Sequence, residues 1–120
     1  MGGLDKSVAT LRIIGDELDP AAITRLLGCH PSHAAFGIWR LEASERAPGD
    51  LDGQIEELLR QVSDDLHVWD TLARTYRVDL FCGLFMESDN EGIALAPESL
   101  MALGRRHIRL DLDIYGRGER

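Results

Sequence analysis

The chain has 120 residues, 44% of them hydrophobic and 28% charged, with 13 Lys and Arg against 21 Asp and Glu. That is the size and balance of one globular domain around a single core, and no apolar run reaches the roughly 20 residues of a membrane span. A formal net charge of −8 repels phosphate backbones, so neither a nucleic acid nor a membrane is expected as a partner.

The opening MGGLDKSVATLR holds one Lys and no apolar block; with no secretory signal in view, the expected location is the cytoplasm. One domain is expected over residues 1–120, its ordered core running from about 7 to 115. SVATLRIIG (Ser7–Gly15) alternates apolar and polar residues with β-branched enrichment and reads as a strand. LDPAAITRLLG follows as a short helix, with Asp19 as N-cap, Pro20 at the first helical position and Gly28 just past the end. FGIWRLEA (Phe36–Ala43) is a second strand, and SERAPGD turns the chain. From Leu51, the residues Ile55, Leu58, Leu59, Val62, Leu66, Trp69 and Leu72 recur at helical spacing, as one long helix or as two with a new cap at Ser63. YRVDLFCGLFM (Tyr76–Met86) is a third strand, ESDNEG a turn and IAL a short returning strand. APESLMALG is a helix from Pro97 to Gly104, HIRLDLDIY a last strand of strict alternation, and GRGER a mobile tail. The basic run RRHIR (Arg105–Arg109) fits a helix end, where cations are favoured, followed by a strand.

Laid together, LDPAAITRLLG and LAPESLMALG match at five positions, each helix lying between two strands. Two such β-α-β halves with a helical insertion between them predict an α+β fold with a ferredoxin-like sheet, helices on one face. In that order the first strand lies between the third and the last.

GCHPSH (Gly28–His33) places one cysteine and two histidines in six residues, which raises a metal site. Zinc takes four ligands, or three and a water. Cys29 and His30 are neighbours whose side chains diverge, and Pro31 prevents the helix that would align Cys29 with His33. The segment reads as a loop ending the helix, with no cofactor expected. Cys82 alternates with apolar neighbours as a buried residue does, so a disulfide with Cys29 is not expected. No G-x-S-x-G, C-x-x-C, G-x-x-x-x-G-K or G-x-G-x-x-G motif occurs, and no catalytic residue is assigned.

Strand parity gives a candidate face. If Leu11, Ile13, Trp39, Leu41, Val78, Leu80, Cys82, Ile108, Leu110 and Leu112 meet the helices, the opposite face carries Arg12, Arg40, Asp79, Phe81, Phe85, Arg109, Asp111, Asp113 and Tyr115, with Thr10 and Glu42 beside them. Arg12 then sits among Asp79, Asp111 and Asp113. Cross-strand ion pairs on a solvated face account for the charges, whereas aromatic rings beside fixed charges also make the kind of surface that binds a partner.

The runs LRIIGDELDPAAITRLLGCHPS, GIWRL, RVDLFCGLF and LAPESLMALGRRHIRLDLDIYG together resemble a bacterial family of domains of unknown function, number four-two-seven-nine. The resemblance runs from about Ser7 to Gly116. It implies an α+β fold and a bacterial source, and it brings no catalytic residues with it; His30 and His33 lie outside its pattern. An acidic chain without catalytic motifs fits a non-catalytic protein-interaction module, by analogy with immunity proteins that neutralise a partner protein. Two alternatives are a small-ligand sensor acting as a homodimer and a metal-dependent enzyme at Cys29, His30 and His33.

Overall fold

The structure is a computed structural model that describes residues 4–118; the last two residues of the GRGER tail lie outside that range. Its elements are β1 (Lys6–Ile14), α1 (Pro20–Leu27), β2 (His33–Ala35), β3 (Ile38–Glu42), α2 (Leu51–Gln61), α3 (Leu66–Thr75), β4 (Arg77–Phe85), α4 (Pro97–Arg105) and β5 (Arg109–Tyr115). The fold is α+β, with one mixed sheet of five strands in the order β2-β3-β1-β4-β5. β1 runs antiparallel to β3 and β4, β2 antiparallel to β3, and β5 parallel to β4.

Local chemistry sets the elements much as the residues suggest. Asp19 accepts the Ala21 N–H and Pro20 opens α1, while Gly28 closes it at φ 68°, its N–H donating to the Thr24 carbonyl. Glycine occupies that left-handed conformation without steric cost. Residues 51–75 form two helices. Asp65, rather than Ser63, caps α3 by accepting the His67 N–H. Ser63 is still used there: its hydroxyl accepts the Asp65 N–H and its carbonyl accepts the Trp69 indole N–H at 2.7 Å.

Alternate residues of the sheet meet the helices. Leu11, Ile13, Trp39, Leu41, Val78, Leu80, Cys82 and Leu84 are buried in one cluster with Ile23, Leu27, Ile55, Leu58, Trp69, Leu72 and Leu103 from the helices. Both indoles are fully buried and both N–H groups are satisfied, that of Trp39 by the Thr24 hydroxyl at 3.1 Å, as a buried Trp requires. A polar knot fixes α2 to β1: Ser7 Oγ donates to Gln54 Oε1 at 2.7 Å, and Gln54 Nε2 donates to the Ser7 and Ser44 carbonyls.

The sheet departs from the sequence reading at its two ends. The last strand does not lie beside the first: β4 separates them, and β5 is the edge. The cause is β2, three residues inside the segment taken for a loop and too short to show a period. Through β2 and the turn at Gly37, β3 occupies one side of β1, so β4 takes the other and β5 pairs outside it. Nor do residues 93–95 form a returning strand. Glu91 Oε1 accepts the Glu87 and Ser88 N–H groups, which closes that turn on itself instead of on a hairpin. Gly104 lies within α4, whose cap is Arg106.

Candidate functional site

The face turned away from the helices is built around β1, β4 and β5. Register places Arg12 opposite Asp79, Asp79 beside Arg109, Phe81 beside Asp111, and Phe85 between Lys6 and Tyr115. Asp79 is fully buried although it lies on this open face, because its neighbours cover it. Arg12 clamps it with both prongs, Nε to Oδ1 at 2.7 Å and Nη2 to Oδ2 at 2.8 Å. Arg77 Nε adds a third bond at 3.1 Å. Such a planar two-point fit is the strong form of the Arg–carboxylate pair. The Asp79 carboxylate, more than any other group, holds the Arg12 guanidinium pKa above its ordinary value.

Asp111 joins the network to β5. It accepts from Arg77 Nη2 at 3.1 Å and Arg109 Nε at 2.9 Å, with Arg12 Nη2 at 3.9 Å. Desolvation works against its charged form, but the hydrogen bond from Arg77 and the charge of Arg109 outweigh it and hold the carboxyl below the usual range.

Aromatic rings surround the charges. The Arg12 guanidinium lies 4.6 Å from the Phe81 centroid and Lys6 Nζ 4.4 Å from that of Phe85, both within cation–π range. Phe85 stacks on Tyr115 with centroids 4.7 Å apart and planes at 12°. Gly83 lies beneath them: a Cβ there would stand 3.4 Å from Phe85 Cε2 and 3.8 Å from Tyr115 Cε2, and would clash with Val8 Cγ2 at 2.8 Å. The Tyr115 hydroxyl donates to Asp113 Oδ2 at 2.6 Å, and that bond raises the phenol pKa above its ordinary value.

Of the residues expected together, Arg12, Asp79, Phe81, Arg109 and Asp111 form one network, and Phe85, Asp113 and Tyr115 a second group beside it. Asp113 pairs with Tyr115 instead of reaching Arg12. Arg40 faces Arg12 across β1 and β3 and stands apart, its shielded Nε without a hydrogen-bond partner. Sequence reasoning missed Arg77 and Lys6. Both share the parity of the face, and both begin a strand whose first residue had been placed one position away.

GCHPSH is not gathered into a ligand set. Cys29 Sγ donates to the His30 carbonyl at 3.4 Å, and His33 pairs across β2 and β3 with Arg40. Among the described residues no group of three or more His, Cys, Asp or Glu is placed to hold a metal ion. Burial raises the thiol pKa at both cysteines, and that of Cys82 is pushed up to about 12, with Asp79 and Asp111 adding to the effect. Both cysteines are free.

No helix among the described residues is long and apolar enough to cross a membrane. No match is found among curated proteins or solved structures. The model of the family described as a domain of unknown function, DUF4279, matches residues 5–117, and the chain belongs to that family.

Proposed function

We propose that the chain is a non-catalytic protein-interaction module that binds its partner on the open face of the sheet. The observation that carries this reading is the clamped Asp79. Three arginines and two acids are held by one another in fixed positions, so the Phe81 ring and the outer edges of Arg77 and Arg109 are preset rather than ordered on binding, and beside them Phe85 and Tyr115 are held by their own stacking. A preorganised mixture of aromatic and Arg side chains is the composition of interface hot spots.

A ferredoxin-like reading of the first four strands supplies the frame for that face. It is supported by β1-α1-β2 with β3 inserted between the two parallel strands, and by β4 antiparallel on the far side of β1. In this reading α2 and α3 are the inserted helical segment before the last strand of the unit, and α4 with β5 is an addition to it.

The test is capture from a lysate of the native host, comparing the wild-type chain with a Phe81→Ser, Arg77→Ala variant and with a control altered at exposed Leu26 and Leu66 on the helix layer. Circular dichroism establishes that each is folded. A partner retained by wild type and control and lost by the open-face variant is the expected result. Equal capture by all three would place the interaction elsewhere.

A further inference from the structure

We propose that β5 is a self-complementary edge, and that two copies of the chain pair there antiparallel, about a two-fold axis at Asp111, into one continuous sheet. β5 is the edge of the sheet and is seven residues long, whereas the opposite edge, β2, has three. The Met86 N–H donates to the Tyr115 carbonyl, so the odd-numbered residues of β5 turn their backbone groups toward β4. Leu110, Leu112 and Ile114 therefore aim their N–H and C=O groups outward, as an incoming strand requires. On the helix-bearing side, Leu112 is 46% and Ile114 55% exposed, and α4 adjacent to β5 exposes Leu100 at 50% and Met101 at 52%. Two of these apolar side chains lie on β5 itself and two on the helix that precedes it.

The sequence around the edge, Ile108-Arg109-Leu110-Asp111-Leu112-Asp113-Ile114, identifies the occupant. Set antiparallel against a second copy with Asp111 at the axis, Leu110 meets Leu112 and Arg109 meets Asp113 on both sides of the axis, while Ile108, only 6% exposed and with its N–H on the Leu103 carbonyl, marks where the pairing ends. Apolar faces apolar on one side of the sheet, and opposite charges face each other on the other. Asp111 meets only its own copy, and each already holds Arg77 and Arg109. Moving the axis to Leu112 replaces both Arg–Asp pairs with Arg109 against Tyr115 and sets Asp111 against Asp113 twice. A slip by a single residue would set leucines against aspartates. Because the axis is normal to the sheet, both helix layers lie on one side and the two open faces join on the other. The pairing does not depend on whether that face binds a partner.

Light scattering on the eluting protein measures its mass. The wild-type chain is expected at twice 13.3 kDa. Arg109→Asp sets acid against acid and Asp113→Arg sets base against base, so each alone is expected at half the wild-type mass. Mixing the two single variants, or combining both changes in one chain, restores Arg–Asp pairs and is expected to restore the dimer. Circular dichroism checks that each variant is folded. A wild-type chain that stays monomeric at 100 μM would overturn the proposal. So would a dimer whose mass neither single variant lowers, since it would be held by another surface.

Discussion

Arg12 and Arg77 both bond Asp79, yet their replacement has unequal consequences. The Arg12 side chain is 22% exposed and supplies two of the three bonds, while Arg77 is 52% exposed and supplies one. Removing Arg12 leaves a carboxylate with no exposed surface short of its main partner, and breaking a pair of that kind costs roughly 3 kcal/mol or more. Removing Arg77 takes one bond from a half-exposed partner while both Arg12 bonds remain, and costs about 1 kcal/mol or less. Urea unfolding of Arg12→Met and Arg77→Met is therefore expected to give a much larger fall in midpoint for the first. Similar falls would mean that Asp79 is not buried in solution. The second residue-scale expectation concerns Tyr115. Its phenol titrates late because its proton is shared with Asp113, so in Asp113→Asn the tyrosinate band is expected to rise at lower pH than in the wild type. An unchanged absorbance titration would show that the 2.6 Å bond is not maintained.

The elements differ in where their ends are satisfied. α1 is capped by its own Asp19, but Ala96 at the start of α4 has no side chain to serve as a cap. Asp52, on α2, instead ties the start of α4 down across space, accepting the Ala96 N–H at 3.1 and 3.3 Å and the Ser99 hydroxyl at 2.6 Å. Asp52→Ala is expected to destabilise the protein by about 1 kcal/mol or somewhat more, the usual net worth of hydrogen bonds to a charged group. Hydrogen exchange should quicken in α4 ahead of β1, whereas uniform quickening would mean that α4 does not loosen by itself. A helix start held by another helix illustrates why some elements are legible in the sequence and others are not. Alternation in β1, β3, β4 and β5 and the Asp19-Pro20 start of α1 are local, and they placed the core face and most of the candidate site. β2 has no room for a period, Asp65 takes over the cap from Ser63, whose carbonyl instead accepts the Trp69 indole N–H, and the position of β5 depends on β2. Arg77 could have been found by extending the β4 parity by one step.

Over the whole molecule an excess of acids, 21 against 13 basic residues, coexists with carboxylates held in local partnerships, and pH separates the two effects. The Asp111 carboxyl is lowered from 3.8 when folded, by Arg77 and Arg109 against desolvation. Glu57 is lowered from 4.5, chiefly by the Ser44 N–H and then by Arg46. A carboxyl lowered in the folded state binds its proton more readily when unfolded. Its contribution to stability is therefore complete above the unfolded value and is lost as the pH falls through the folded one. Tyr115 has the opposite sense, since its phenol is raised from 10.0. Its contribution is complete below that value and disappears as the pH rises through the folded one. For these groups stability is expected to be level between about pH 5 and 9, with an acid limb to which Asp111 and Glu57 contribute. Urea midpoints measured from about pH 2 to 11, on both sides of that window, test this, with Asp111→Asn and Glu57→Gln each expected to flatten the acid limb and leave the alkaline one in place. A wild-type midpoint that instead fell steadily between about pH 8 and 6 would show that these carboxyls and Tyr115 do not set the profile.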